Sequence, residues 1–176
     1  MPASLAEDDD ITTAEAPTWR RSTKPLMASG RIAARRQSGY VLPFRDGSIS
    51  IAQPPDADEP SWLLPSLRAL DEIGSLPENW NSYGAKPVAV EAAVATLRLM
   101  AVMMTDATPL PAFVPTQSGG IQLEWHVRGI DLEIDVRATR RLFASFEDHR
   151  TGEEWEAEIT SDLRRLRDVL PRLMRP

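Results

Sequence analysis

The feature that most constrains the fold is a near-continuous alternation of apolar and polar residues between Gly119 and Ile159. The apolar residues are Ile121, Leu123, Trp125 and Val127 in one stretch, and Ile130, Leu132, Ile134 and Val136 in the next. A period of two residues is typical of antiparallel strands with one buried face and one face in water. The pattern predicts strands over 121–128, 130–137, 141–147 and 153–159.

The register of these strands follows from a two-residue turn at Arg128-Gly129. Pairing Val127 with Ile130 aligns every apolar residue of one strand with an apolar residue of the other, and a slip of one residue destroys the match. A turn over 149–152 aligns Phe146 with Trp155 in the same way. The outward-facing pairs are then His126 with Asp131, and Glu124 with Glu133.

The outer face of this predicted sheet is strongly acidic. The candidate interaction residues on it are Glu124, His126, Asp131, Glu133, Asp135 and Glu156. A charged outer face keeps a sheet soluble and monomeric, but the same face is also suited to docking a basic surface, on the chain's own basic N-terminal arm or on a partner protein. A third interpretation is a metal or acid/base site, because oxygen-rich ligand sets suit calcium, magnesium or manganese.

The rest of the chain predicts an α+β fold. The predicted segments are a disordered arm over 1–38, an edge hairpin over 39–53, a short helix over 62–75, a helix over 88–105, the sheet over 112–160 and a last helix over 161–174, capped at Thr160 or Ser161. The arm has too few apolar residues to offset the entropy of ordering. We expect one domain over 39–176, a two-layer sandwich in which two helices cover one face of a four- to five-stranded antiparallel meander.

Composition narrows the functional classes. The formal net charge of −6 argues against nucleic acid or an anionic membrane as a partner, except through the arginine-rich arm. The absence of cysteine excludes disulfides and thiolate metal sites, and it fits a reducing cytoplasm. No apolar run approaches the about 18 residues that span a bilayer, and Met1 to Asp10 lacks the apolar core of a signal peptide. We therefore expect a cytoplasmic protein.

A loop between the two predicted helices carries unusual aromatic surface at Trp80 and Tyr83. In one interpretation both rings fold back onto the core, with Gly84 in a left-handed turn. In the other they line a ligand pocket, with Asn81 and Ser82 supplying hydrogen bonds. Both interpretations stay open at this point.

Two motifs together resemble a scattered group of small bacterial proteins without a settled function. They are Trp80 to Ala85 (WNSYGA) and Gly119 to Trp125 (GGIQLEW), followed by Leu132-Glu133-Ile134. The resemblance covers about residues 76 to 136. It implies no catalytic residues, and it implies that Trp80, Tyr83, Gly84, Glu124 and Trp125 belong to one shared structural core.

These observations favour a non-enzymatic protein-interaction module without cofactor or metal. The expected role is the small partner or neutralising subunit, antitoxin- or immunity-like, of a bacterial two-protein system, and its acidic face would bind a basic surface. The alternative is a small-ligand or divalent-metal-dependent enzyme that uses the 78–85 loop and the Glu124/His126/Asp131/Glu133 patch.

Overall fold

The computed structural model describes residues 19–22, 33–36, 39–45, 47–53, 57–160 and 162–174. In chain order its elements are β1 (Trp19–Ser22), β2 (Ala33–Arg36), β3 (Gly39–Phe44), β4 (Gly47–Ala52), α1 (Leu63–Gly74), α2 (Val90–Met103), β5 (Ala112–Pro115), β6 (Ile121–Val127), β7 (Ile130–Val136), β8 (Leu142–Asp148), β9 (Glu153–Ile159) and α3 (Arg164–Met174).

The last five strands form one antiparallel sheet in the order β5-β6-β7-β8-β9. The predicted register is confirmed: Val127 pairs with Ile130 across β6 and β7, and Phe146 pairs with Trp155 across β8 and β9. Arg128 and Gly129 both have positive φ, 57° and 73°, as a type I′ hairpin turn requires. The alternation of the sequence is therefore the alternation between the two faces of this meander.

Two helices cover the apolar face of the sheet. Helix α2 contacts β6 and β7, and α3 lies against β8 and β9, where Arg165 and Arg172 stand over the rings of Trp155 and Phe146. Trp125 is fully buried in this layer, and its indole N–H donates to the carbonyl of Pro109 at 2.7 Å. The α+β sandwich predicted from the sequence is confirmed.

The N-terminal strands form a second antiparallel sheet, in the order β1-β4-β3-β2. The predicted hairpin is its centre, with Phe44 paired to Gly47, but it does not extend an edge of the meander as expected. The expected disordered arm is also interrupted, because β1 and β2 lie within 1–38 and flank the hairpin on both sides. The free backbone groups of the hairpin edges give these segments hydrogen-bond partners that do not depend on apolar side chains. The remainder of the arm lies outside the described residues.

The last helix begins later than its predicted cap at Thr160 or Ser161. A carboxylate oxygen of Asp162 accepts the backbone N–H of Arg164 at 3.0 Å and so supplies one of the missing partners at the start of α3. Ser161 lies outside the described residues.

Candidate functional site

The face of the five-stranded sheet that points away from α2 and α3 carries its side chains in three transverse rows, which together we call the open face. The residues of these rows are His126, Asp131, Glu147 and Glu154 in the first, Ala112, Glu124, Glu133, Ser145 and Glu156 in the second, and Val114, Gln122, Asp135, Phe143 and Glu158 in the third. Three carboxylates lie in each of the first two rows and two in the third. The register therefore brings all six predicted interaction residues onto one surface.

The third row is neutralised by arginines from the β7–β8 connection. Arg141 forms a two-pronged ion pair with Glu158, with N···O distances of 2.7 and 2.8 Å, which lowers the pKa of Glu158. Arg137 contacts Asp135 at 3.0 Å. Both guanidinium groups also stand over the ring of Phe143, at 4.0 and 5.0 Å from its centre. Cation–π contact and charge pairing thus fix these arginines at the edge of the open face.

Two residues of the first row and one from the turn after β8 form a group that we call the histidine bridge: His126, Asp131 and His149. Each carboxylate oxygen of Asp131 lies within hydrogen-bond distance of one ring, 2.8 Å from His126 Nδ1 and 2.7 Å from His149 Nε2. These hydrogen bonds raise the pKa of both histidines and lower the pKa of Asp131. The three side chains are a third to a half exposed, so the bridge is accessible to a partner.

Two further carboxylates complete the surroundings of the bridge. Glu147 Oε1 lies 3.0 Å from His149 Nδ1, and Glu124 Oε2 lies 3.5 Å from His126 Nε2. Because an ionised carboxylate can only accept, both nitrogens of His149 must carry a proton for both contacts to be hydrogen bonds. The geometry therefore favours the imidazolium form of His149.

Three other carboxylates of the open face have no such compensation. Within the described part of the chain, Glu133, Glu154 and Glu156 have no ion-pair partner; Glu133 accepts one hydrogen bond, from the Gln122 amide at 2.7 Å. These carboxylates line a shallow depression of about 550 Å³ whose floor includes the short side chain of Ser145. The arginines thus lie beside the third row and the histidines beside the first, while the carboxylates without an ion-pair partner lie on β7 and on the edge strand β9.

His149 and Glu147 belong to the site but were not among the sequence-predicted site residues. The predicted turn over 149–152 contains His149, as the structure confirms, but the sequence does not predict that this turn reaches Asp131. The pairing of Asp131 with Glu147 across β7 and β8 would have located His149. His149 lies two residues after Glu147, so this pairing places it close to Asp131.

Side chains of this kind can also bind a divalent metal ion. Asp131, Glu147 and His149 each offer one ligand atom, and these atoms lie within 4.8 Å of one another. However, both oxygens of Asp131 already accept hydrogen bonds from imidazoles. Exposed groups of this composition are common without an ion, and we assign no metal to them.

The loop over residues 78–85, which we call the aromatic loop, is held by its own amides. Asn79 Oδ1 accepts the N–H of Gly84 at 2.6 Å, and Asn81 Oδ1 accepts the N–H groups of Tyr83 and Ala85 at 2.9 and 3.2 Å. This bonding supports positive φ at Asn79, a residue that tolerates the left-handed conformation. The side-chain oxygen of Asn81 is therefore engaged within the loop and does not accept a hydrogen bond from a ligand in this conformation.

The two aromatic rings of this loop differ in their exposure to solvent. Trp80 is half-buried and donates to the carbonyl of Lys86 at 3.3 Å. Tyr83 is 83% exposed, so the expectation that it folds back onto the core is wrong, as is its inclusion in a shared core with Trp125. The loop's amides fix the backbone in a form that points this ring outward.

The aromatic loop and the histidine bridge lie at opposite ends of β6. The loop is tied to the turn before β6, where Gln117 donates to the carbonyl of Tyr83 at 3.0 Å. His126 lies five residues beyond Ile121, about 17 Å along an extended strand. The structure thus places the aromatic loop and the histidine end of the acidic patch apart along β6.

Comparison of the chain with protein-family models, with curated proteins and with solved structures gives no significant match. In the part of the chain that is described, no helix has both the length and the apolar character needed to cross a bilayer. The site is therefore interpreted from its own geometry.

Proposed function

We propose that this protein is a non-enzymatic interaction module whose open face binds the basic surface of a partner protein. The role that fits is the small partner or neutralising subunit, antitoxin- or immunity-like, of a bacterial two-protein system in the cytoplasm. The observation that carries the proposal is the negative charge of three carboxylates that have no ion-pair partner within the described residues: Glu133 on the central strand β7, and Glu154 and Glu156 on the edge strand β9. Complementary charge of this kind accelerates encounter with a partner and selects against wrong ones.

The shape of the face supports a protein partner. The depression over Ser145 is shallow and open, whereas small-molecule sites are usually concave and largely enclosed. Lysine and arginine side chains can reach the carboxylates around it from a flat surface, and arginine can bind a carboxylate through two parallel hydrogen bonds. A partner with several lysine or arginine side chains on one surface patch can pair with most of the carboxylates of the open face.

The experiment measures binding of an oligoarginine peptide by fluorescence anisotropy at two ionic strengths. The test variant is Glu133→Lys/Glu156→Lys, and the matched control is Glu72→Lys/Glu78→Lys, two exposed residues away from the sheet. Both double variants change the net charge equally. We expect the wild type and the control to bind the peptide with strong salt dependence, and the test variant to lose binding.

Equal weakening in the two double variants would show that only net charge matters and would reject the open face as the docking site. The same pair of variants separates specific from non-specific capture when a partner from the native host is tested.

A further inference from the structure

Both histidines of the chain lie at one corner of the open face, and both bind the same carboxylate. They reach Asp131 from different elements: His126 from β6, and His149 from the turn after β8. Histidine is the side chain whose charge ordinarily changes between about pH 5 and 8. The charge of this corner therefore depends on pH in the range where the rest of the face keeps its charge.

The groups that face the histidine bridge are almost all carboxylates. They are Glu124 on β6, Asp131 and Glu133 on β7, Glu147 on β8, and Glu154 on β9 opposite Glu147. The neighbouring arginines are Arg128 in the β6–β7 turn and Arg150, which is engaged by Asp148 at 2.9 Å. Protonation of both imidazoles therefore offsets two of the three carboxylates that contact them, Glu124, Asp131 and Glu147.

We propose that the histidine bridge makes docking at the open face dependent on pH, so that a basic partner binds more tightly at about pH 8 than at about pH 6. The inference rests on the proposed function and adds its regulation. At the lower pH the imidazolium groups occupy Asp131 and repel an incoming cation. As the pH rises the imidazoles lose their positive charge, and the corner presents more negative charge to the partner.

Linkage requires the converse effect as well. A basic partner that docks beside the bridge favours the neutral imidazoles, so that binding releases protons. Removal of one positive charge about 8 Å from a bound cation in water changes affinity about 2- to 3-fold. Loss of the positive charge of both imidazoles is therefore expected to raise the affinity for a basic probe about sixfold.

The test uses an oligoarginine peptide, whose guanidinium groups stay charged throughout this range. Its affinity is measured at about pH 6 and about pH 8, at constant ionic strength, for the wild type and for His126→Gln/His149→Gln. We expect the pH dependence in the wild type and its loss in the double variant, with affinity fixed near the wild-type value at high pH. The single variants His126→Gln and His149→Gln each retain part of the effect. Glutamine keeps a polar group at these half-exposed positions, and circular dichroism checks the fold.

Two results separate the regulation from the docking itself. If the peptide binds the wild type equally at both pH values, or if the double variant keeps the wild-type pH dependence, the regulation is wrong while the docking face stands. If the peptide does not bind at either pH, both proposals are overturned. Histidine NMR titration adds a direct readout, since Asp131→Asn should lower the midpoints of both rings and Asp135→Asn should leave them in place.

Discussion

Replacing Glu133 by glutamine should stabilise the fold. Glu133 lies directly opposite Glu124 across β6 and β7, and both carboxylates point to the open face. Like charges in such a pair destabilise by about 0.2–1 kcal/mol. Two unit charges about 6 Å apart in water repel by about 0.7 kcal/mol, and Glu124 is only 22% exposed, so we expect a gain of about 0.7 kcal/mol in the free energy of unfolding.

The assay is urea denaturation at low and high ionic strength. In about 1 M salt the screening length falls to about 3 Å, so the gain from Glu133→Gln should nearly vanish there. The glutamine keeps a side-chain oxygen that can accept the hydrogen bond from the Gln122 amide. The substitution thus removes the charge and leaves this contact in place.

Glu158→Gln is the matched control on the same face. Glu158 is paired with Arg141, so loss of its charge should lower the free energy of unfolding or leave it unchanged. The charge-repulsion reasoning is refuted if Glu133→Gln destabilises at low salt, or if its gain is the same at both salt concentrations.

Three further predictions concern the core and the β8–β9 turn. Thr96 is fully buried on α2, and within the described residues its hydroxyl has no hydrogen-bond partner, so Thr96→Val should raise the free energy of unfolding by about 1 kcal/mol in urea denaturation. Trp125→Phe should lower it by about 2 kcal/mol, because it shrinks a buried ring and removes the donor to the Pro109 carbonyl. The Arg150 guanidinium lowers the pKa of Asp148 to about 2; because the folded-state pKa lies below the unfolded value, the pair stabilises above about pH 4. That contribution should be lost in thermal melts as the pH falls from about 4 to about 2, and Asp148→Asn should flatten this part of the profile.

A specific result would contradict each of these three predictions. Destabilisation by Thr96→Val would mean that the hydroxyl has a partner in solution. Unchanged stability in Trp125→Phe would mean that the linker before β5 is not held by the indole. A steep acid limb that persists in Asp148→Asn would assign the acid sensitivity to other carboxylates.

The register of β6 and β7 was predictable because two independent constraints agree. A two-residue turn fixes which residues pair, and the apolar pattern fixes which face they occupy. The β7–β8 connection over 137–141 is longer, so turn length alone does not set the pairing of Asp131 with Glu147. That is why the sequence showed an acidic face but not the place of His149 on it.

Strands β1 and β2 and the exposure of Tyr83 were not predictable from the sequence pattern, because both depend on hydrogen bonds to the backbone. Strands β1 and β2 form through backbone hydrogen bonds to the edges of the hairpin, although their segments lack a sustained apolar pattern. Tyr83 is exposed because the amides of Asn79 and Asn81 bind the loop backbone, whereas the general tendency of aromatic rings to be buried favoured the opposite.

The arrangement of charge on the open face distinguishes docking from solubility. Solubility requires charge on this uncovered face, but it is served equally well by both signs interspersed. Here the cations lie beyond the ends of the strands, Arg137 and Arg141 beside the third row and His149 beside the first, while Glu124 faces Glu133 in the second row as a like-charge pair that is expected to lower stability. An arrangement that lowers stability without local compensation is expected where the charge serves binding. Glu133→Gln should therefore raise the free energy of unfolding and weaken oligoarginine binding together; a gain in stability with unchanged binding would reduce the open face to a solubility device.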